Sequence, residues 1–295
     1  MSPFFLAFFA TLMAQTCFSI TNTLWKKPVS VLEPALVIMY RNIFTTLFLG
    51  LTTYFLSPPM LAYSWIDVGK AIFISMVSFY GLFFFNYANR FGEITRVVPI
   101  INLSGLVLPF LVGVFYFQES LSWAKIGVFS LTFMGIFLLQ KWQLGKVFSL
   151  DKAIIFALLA MFFWGISYPF FSLPVRKLGS AFFGFILEGT ILCMSLIHFL
   201  PTLMREGRQA FLPAGLSKVF KTIVTIAVLG SLGVYFTNVS FYHLDITILV
   251  ILGTVGHILP IAIARFAHHE KVSLRTYLGV SLLIISILIY NFIQK

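Results

Sequence analysis

The sequence predicts an all-α integral membrane protein with ten transmembrane helices, arranged as two inverted five-helix repeats. Sixty per cent of the 295 residues are hydrophobic and only 10% are charged, whereas a soluble domain carries about 25% charged residues. The apolar residues form runs of about 20, which is the length of a helix that crosses the hydrocarbon core. Short segments also recur in order about 151 residues apart. A membrane β-barrel would instead show alternating segments of about 10 residues.

Short polar breaks separate the apolar runs, so consecutive helices are expected to pack as antiparallel hairpins. The first five spans end at breaks such as KKPVSVLEP, SPPMLAYSWID and NRFGE, and the second five at breaks such as LPVRKLG and PTLMREGRQAFLPAGLSK. Spans 4 and 5, and spans 8 and 9, are nearly fused, which leaves nine or eleven spans open. The ten predicted spans are residues 4–24, 35–56, 68–88, 94–117, 122–140, 152–172, 180–200, 221–242, 244–267 and 273–293.

Several matches on one diagonal indicate an internal duplication. GLFFFN at 81–86 matches GVYFTN at 233–238, and EIT at 93–95 matches DIT at 245–247. Glu119 and Ser122 match Glu270 and Ser273 in the same way. The sequence therefore predicts two copies of one unit, residues 1–146 and residues 147–295. Because each copy has five spans, an odd number, the second copy enters the membrane inverted, as in many secondary transporters.

The basic residues give one prediction of orientation. Fourteen of the 20 Lys and Arg residues lie in breaks that follow odd-numbered spans, five lie after even-numbered spans or at the C-terminus, and Arg41 is intramembrane. The positive-inside rule places the fourteen in the cytoplasm and both termini outside. The net charge of +11 is then explained by contact with lipid headgroups, and no nucleic-acid partner is expected.

The segments QESLSWAKIGVFSLTFMGIFLLQ (118–140) and LPIAIARFAHHEKVSLRTYLGVSLLIISILIY (259–290) each pair a Glu and a polar turn with a Gly-bearing helix. With Arg41 early in the second span, they resemble the EamA-type branch of the drug/metabolite transporter superfamily over essentially the whole chain. The resemblance implies export or import of amino acids, sugars, nucleotide sugars or other small metabolites. It also implies termini in the cytoplasm, opposite to the charge count, so orientation stays open.

Two charged residues inside predicted spans are the first candidates for a binding site, because an ion at mid-bilayer costs about 2.5–3.5 kcal/mol to insert. Arg41 lies in span 2 and Glu188 in the corresponding span 7. Arg41 could hold a substrate carboxylate or phosphate, and Glu188 could hold an amine or carry a coupled proton. The alternatives are a structural ion pair, or an Arg41 side chain that reaches a lipid headgroup.

Uncharged polar and aromatic residues supply further candidates. Gln15, Ser19 and Asn22 fall at i, i+4 and i+7 on one face of span 1, and Trp164 and Tyr168 form a similar stripe on span 6. Such stripes line a substrate cavity or simply pack between helices.

Spans 4 and 9 are interrupted by Pro and Gly, which free backbone carbonyls or let a helix bend. They add Asn102 and His257 as candidate substrate-binding residues. Structural roles are expected for the paired Asn86 and Asn238, and helix capping or a surface ion pair for Glu119 and Glu270.

The sequence predicts a secondary transporter, probable exporter, of a small polar metabolite such as an amino acid. It has no GxxxxGK[ST] motif for ATP and no GxGxxG motif, so coupling to protons or to the solute's own gradient is expected, with no enzyme activity, cofactor or metal. The expected location is the inner (plasma) membrane, as a monomer or homodimer among membrane lipids. A membrane-embedded enzyme and a non-transporting scaffold or sensor stay as alternatives.

Overall fold

The computed structural model describes residues 3–56, 63–93, 97, 100–101, 105–139, 151–254, 256, 258 and 273–293, and the regular secondary structure of these residues is helical, with no β-strand. The first half contains α1 (Pro3–Leu24), α2 (Lys26–Val31), α3 (Pro34–Leu56), α4 (Trp65–Phe91), α5 (Val107–Phe115) and α6 (Trp123–Leu139). The second half contains α7 (Lys152–Phe170), α8 (Ser172–Leu178), α9 (Ser180–Glu206), a 3-10 turn (Gly207–Phe211), α10 (Leu216–His243), α11 (Ile246–Gly253) and α12 (Leu274–Ile293).

The described helices make this a multi-pass membrane protein. Six stretches of the described chain are long and apolar enough to cross a bilayer, and two shorter apolar helices accompany them, Trp123–Leu139 and Leu274–Ile289. Predicted spans 4 and 9 are described in part, as α5 and α11. The count of ten spans therefore stays a prediction. The six stretches are Phe4–Val31, Pro34–Leu56, Trp65–Phe91, Lys152–Leu178, Ser180–Phe211 and Leu216–His243.

Local chemistry explains where several helices begin and end. Pro34 opens α3 at a first-turn position, where its missing N–H costs nothing. The carboxylate of Asp151 accepts a hydrogen bond from the Ile154 N–H at 3.0 Å and caps α7. Gly179 and Gly207 flank α9 with φ values of 81° and 64°, a left-handed backbone that glycine adopts without steric cost.

The pattern of helix packing is nearly unchanged when the two halves are exchanged. α1 packs along α10, and the corresponding α7 packs along α4. α3 also contacts α10, and the corresponding α9 contacts α4. The remaining main pairs, α3 with α9 and α6 with α12, join each helix to its own counterpart. Each half therefore buries its helices largely against the other half, and the space between the halves is the centre of the molecule.

Small residues allow the α6–α12 contact to be close. A Cβ atom at Gly279 would lie 2.9 Å from the carbonyl oxygen of Gly135, and one at Gly135 would lie 2.7 Å from Leu283 Cδ2. Helices in lipid gain little from hydrophobicity at such contacts and rely on close van der Waals packing. The two glycines bring the helix backbones together at the point where the halves meet.

Candidate functional site

A cavity of about 280 Å³ lies between the two halves. Its described wall draws on α1, α3, α4 and α6 of the first half and on α7, α9, α10 and α11 of the second. This volume is close to the lower end of the range typical of small-molecule sites. The aromatic residues of the lining are Phe18, Trp25, Phe85, Trp164, Tyr168 and Phe171. Its other residues with polar or charged side chains are Gln15, Thr21, Asn22, Arg41, Ser78, Glu188 and Thr254.

An ion pair between the halves forms one part of the cavity wall. Nη1 of Arg41, on α3, donates to Oε2 of Glu188, on α9. Arg41 is 6% exposed and Glu188 is 1% exposed. Each charge is therefore largely removed from solvent, and each neutralises the other. The two side chains thus pair with each other and also line the cavity.

Two further side chains of α3 hold the Glu188 carboxylate in place. Asn42 Nδ2 donates to Glu188 Oε2 at 2.6 Å and to the Glu188 backbone oxygen at 3.0 Å. Thr45 Oγ1 donates to the same Oε2 at 3.1 Å, and Arg41 Nη1 also donates to Asn42 Oδ1 at 3.0 Å. Arg41, Asn42 and Thr45 are at positions i, i+1 and i+4, so one turn of α3 supplies all three donors to Oε2.

This arrangement explains how two charges are tolerated within the helix bundle. The desolvation cost of a buried ion pair is offset only when the geometry is good and further hydrogen bonds satisfy the remaining lone pairs. Three donors converge on one oxygen of Glu188, and within the described residues no hydrogen bond reaches its second oxygen, Oε1. The carboxylate is fixed by one oxygen, which leaves Oε1 as an acceptor for another group.

The structure brings most of the sequence-predicted candidates to this cavity. Ser19 is absent from the described lining, and its hydroxyl donates to the backbone oxygen of Gly256 at 2.9 Å. Asn102 and His257 lie outside the described residues. The candidates that line the cavity are Gln15, Asn22, Arg41, Trp164, Tyr168 and Glu188.

The paired asparagines and Glu119 have contacts that stabilise structure. Asn86 Nδ2 donates to the Leu82 backbone oxygen, and Asn238 Nδ2 donates to that of Ser180. The carboxylate of Glu119 accepts from the backbone N–H of Ile246 at 2.8 Å and of Thr247 at 3.1 Å. Glu119 thus caps the first turn of α11, in the other half of the chain, which confirms the expected capping role.

The described lining of the cavity presents polar, charged and aromatic side chains. Within the part of the chain that the structure describes, no group of three or more His, Cys, Asp and Glu side chains is placed to hold a metal ion. What the described lining offers is one neutralised ion pair, a few hydroxyl and amide groups, and aromatic faces.

Comparison with known families identifies the second half of the chain. Residues 151–292 match the model of the EamA-like transporter family. The second half of the chain belongs to this family. This confirms the EamA-type resemblance seen in the sequence, and the family is one of membrane transporters. No curated protein matches the chain.

The fold of this chain is also seen in a solved structure, described as a crystal structure of a protein. The two share a TM-score of 0.75 over 97% of this chain and 96% of the other, at 14% sequence identity. A likeness at this identity concerns the fold alone.

Sequence reasoning missed several residues of the cavity. Phe18 on α1 and Trp25 directly after it line the cavity, as do Trp164 on α7 and Phe171 directly after that helix. CFSIT at 17–21 loosely matches FWGIS at 163–167, which aligns Phe18 with Trp164, and this alignment is the signal that could have found Phe18. Asn42 and Thr45 could have been found as polar neighbours of Arg41 on one helical turn. Gly230, where a Cβ atom would lie 2.7 Å from Arg41 Nη2, carried no signal of its own.

Proposed function

We propose that this EamA-family protein is a secondary transporter that moves a small polar metabolite, such as an amino acid, by alternating access. The observation that carries the proposal is the pair of opposite charges, Arg41 and Glu188, in the wall of one cavity between the halves. A zwitterionic solute presents the same two charges. A carboxylate on the Arg41 side and an ammonium on the Glu188 side would match the wall without leaving an unpaired charge.

Alternating access follows from the proposed inversion of the two halves, residues 1–146 and 147–295. Two inverted halves have two related arrangements of similar energy, each opening the shared cavity toward one side of the membrane. α1 packs along α10 and α7 packs along α4, so exchanging the two halves turns one contact into the other. This supports a twofold relation between the halves. With five spans in each half, that twofold axis would lie in the membrane plane.

The remaining candidates have proposed roles around the solute. Gln15 and Asn22 would donate to its polar groups, and Trp164 and Tyr168 would contact its body. Ser19, Asn102 and His257 stay predicted substrate-binding residues. We propose export across the plasma membrane, driven by protons or by the solute's own gradient, by a monomer or homodimer. The absence of a P-loop motif from the sequence supports a gradient over ATP as the driving force.

Transport by the purified protein tests this function. Proteoliposomes that contain the full chain would be loaded with one unlabelled compound at a time from a panel of amino acids, amino-acid amides and sugars. Counterflow of the labelled form of the same compound would then be measured. We expect at least one zwitterionic metabolite to exchange, and Glu188→Gln to reduce that exchange at least tenfold. Well-folded protein that exchanges none of the panel would contradict the proposal and favour the scaffold or enzyme alternatives.

A further inference from the structure

One edge of the Arg41 guanidinium, Nε and Nη2, makes no hydrogen bond with the described residues. Both hydrogen bonds that Arg41 makes with described residues use Nη1. Nε is buried and has no hydrogen-bond partner, and within the described residues no hydrogen bond is made by Nη2 either. A buried donor without an acceptor costs about 1–3 kcal/mol. The side chain is 6% exposed and lines the cavity, so a bound group in the cavity would be the natural acceptor.

The space beside this edge exists because residue 230 is glycine. A Cβ atom at Gly230, on α10, would lie 2.7 Å from Arg41 Nη2 and 3.4 Å from Nε. This Cβ atom would therefore occupy the position of a hydrogen-bond acceptor for Nη2 and Nε. The corresponding residue of the first half, Ser78 on α4, has a side chain and also lines the cavity. The missing side chain at position 230 is thus specific to the half that faces Arg41.

We infer that the Nε–Nη2 edge of Arg41, kept open by Gly230, is a subsite for an oxyanion of the transported solute, a carboxylate or a phosphate. Parallel N–H donors of this kind bind two oxygens of such a group at once. Glu188 keeps its bond to Nη1 meanwhile, so binding does not require the buried ion pair to break. Gly230 becomes a specificity-determining residue. The inference rests on the proposed function for its solute, but the binding itself can be measured without transport.

Thermal unfolding in the presence of simple anions tests the subsite. The full chain in lipid nanodiscs would be unfolded in sodium chloride, sodium acetate and sodium phosphate at equal ionic strength, with intrinsic tryptophan fluorescence as the readout. A ligand that binds only the folded protein raises the unfolding midpoint. General salt effects on burial act on every variant alike, so the readout is the difference between variants.

Two variants remove the subsite in different ways. Gly230→Ala fills the space, and the atoms it meets are the far end of a flexible side chain, so folding is expected to survive. Arg41→Lys keeps the positive charge for Glu188 but lacks the two-donor edge. Gly189→Ala is the matched control, since its Cβ would have only Thr46 Cγ2 nearby, at 3.8 Å, and Gly189 does not line the cavity.

We expect acetate or phosphate to raise the unfolding midpoint, relative to chloride, in the wild type and in Gly189→Ala. This rise is expected to be about 2 °C larger than the rise in Gly230→Ala and Arg41→Lys. Acetate alone indicates a carboxylate solute and phosphate alone a phosphorylated one, and either supports the subsite. Equal shifts in the wild type and Gly230→Ala, or no shift in the wild type, would overturn it. Should Arg41→Lys fail to fold, Gly230→Ala decides. An anion response without flux of any solute would count against the transporter and leave the subsite standing.

Discussion

Trp164 of α7 packs its indole ring directly against Gly81 of α4, where a Cβ atom would overlap the ring. The other half repeats the contact: Phe18 of α1 lies against Gly233 of α10, where a Cβ atom would be 2.8 Å from Phe18 Cε1. Both rings line the cavity. The two glycines therefore set how closely the halves approach and how wide the cavity is. This explains why the matching segments GLFFFN and GVYFTN both begin with glycine.

Substitution of Gly81 tests this packing. Gly81→Ala is expected to lower the free energy of unfolding by about 1–3 kcal/mol, because a methyl group at a filled contact forces the Trp164 ring and the helices apart. The measurement is a denaturant titration in detergent micelles.

The control for that experiment lies on the same helix. Among the described residues, Gly69 of α4 has no neighbouring atom within 4 Å of its Cβ position, so Gly69→Ala is expected to leave stability unchanged or to raise it by about 0.5–1 kcal/mol through helix propensity. Equal behaviour of the two alanine variants would refute a close contact at Gly81.

The Arg41–Glu188 pair gives the second prediction. Glu188→Ala leaves the buried guanidinium uncompensated and is expected to cost about 3–5 kcal/mol of stability. The double variant Arg41→Met with Glu188→Leu removes both charges and is expected to recover most of that loss. Transport by the double variant, measured by counterflow, is expected to be absent.

An exposed ion pair provides the comparison for this prediction. Arg205 and Glu206 lie 2.7 Å apart at the end of α9 with largely exposed side chains, so Glu206→Ala is expected to change stability by less than about 1 kcal/mol. A double variant that is folded and still transports would show that the charged pair serves structure alone.

Glu119 gives the third prediction, because it joins the two halves through the start of α11. Glu119→Ala removes the acceptor for two backbone N–H groups and is expected to cost about 1–2 kcal/mol. Glu119→Gln keeps one acceptor oxygen and is expected to cost less. Unfolding free energies measured for both variants check the order.

The loop that carries Glu119 supplies its own control. Gln118 has φ of 53°, a left-handed turn after α5 that directs Glu119 toward α11. Ser120→Ala, one residue beyond, removes an exposed hydroxyl and is expected to change stability by less than about 0.5 kcal/mol. A Glu119→Ala variant as stable as Ser120→Ala would mean that the cap contributes nothing.

Hydrophobic runs were enough to predict the long described helices of this chain. The length of an apolar run reports directly on burial in lipid, so α1, α3, α4, α9 and α10 fall close to the predicted spans. The predicted helix bounds were too short: α4 runs from Trp65 to Phe91 and α9 continues to Glu206, beyond the predicted spans 68–88 and 180–200. Polar and amphipathic residues at helix ends carry no hydropathy signal, so the pattern did not include them. The short helices α2 and α8 were missed because each is only a continuation of the preceding span.

The candidate site was predictable where a residue type is unusual in a membrane. Arg41 and Glu188 stood out because an intramembrane charge is costly, and both line the cavity. Their mutual bond could not be derived, since spacing along the chain does not give the distance between α3 and α9. Gly230 could not be found at all, because its role depends on what another helix places beside it. Glu119 was expected to cap a helix, but its partner lies more than a hundred residues away.

Accessibility of the cavity from both sides of the membrane tests the central claim most directly. Cys17 and Cys193 are free thiols and would be replaced by Ser, and Asn22→Cys would place one thiol in the cavity wall. A chain with only Cys193, exposed on α9 outside the described cavity lining, is the control for lipid-facing positions. We predict that a membrane-impermeant maleimide added to either side of proteoliposomes labels position 22, and that a transported solute slows both reactions. Labelling from one side only, with and without solute, would contradict alternating access.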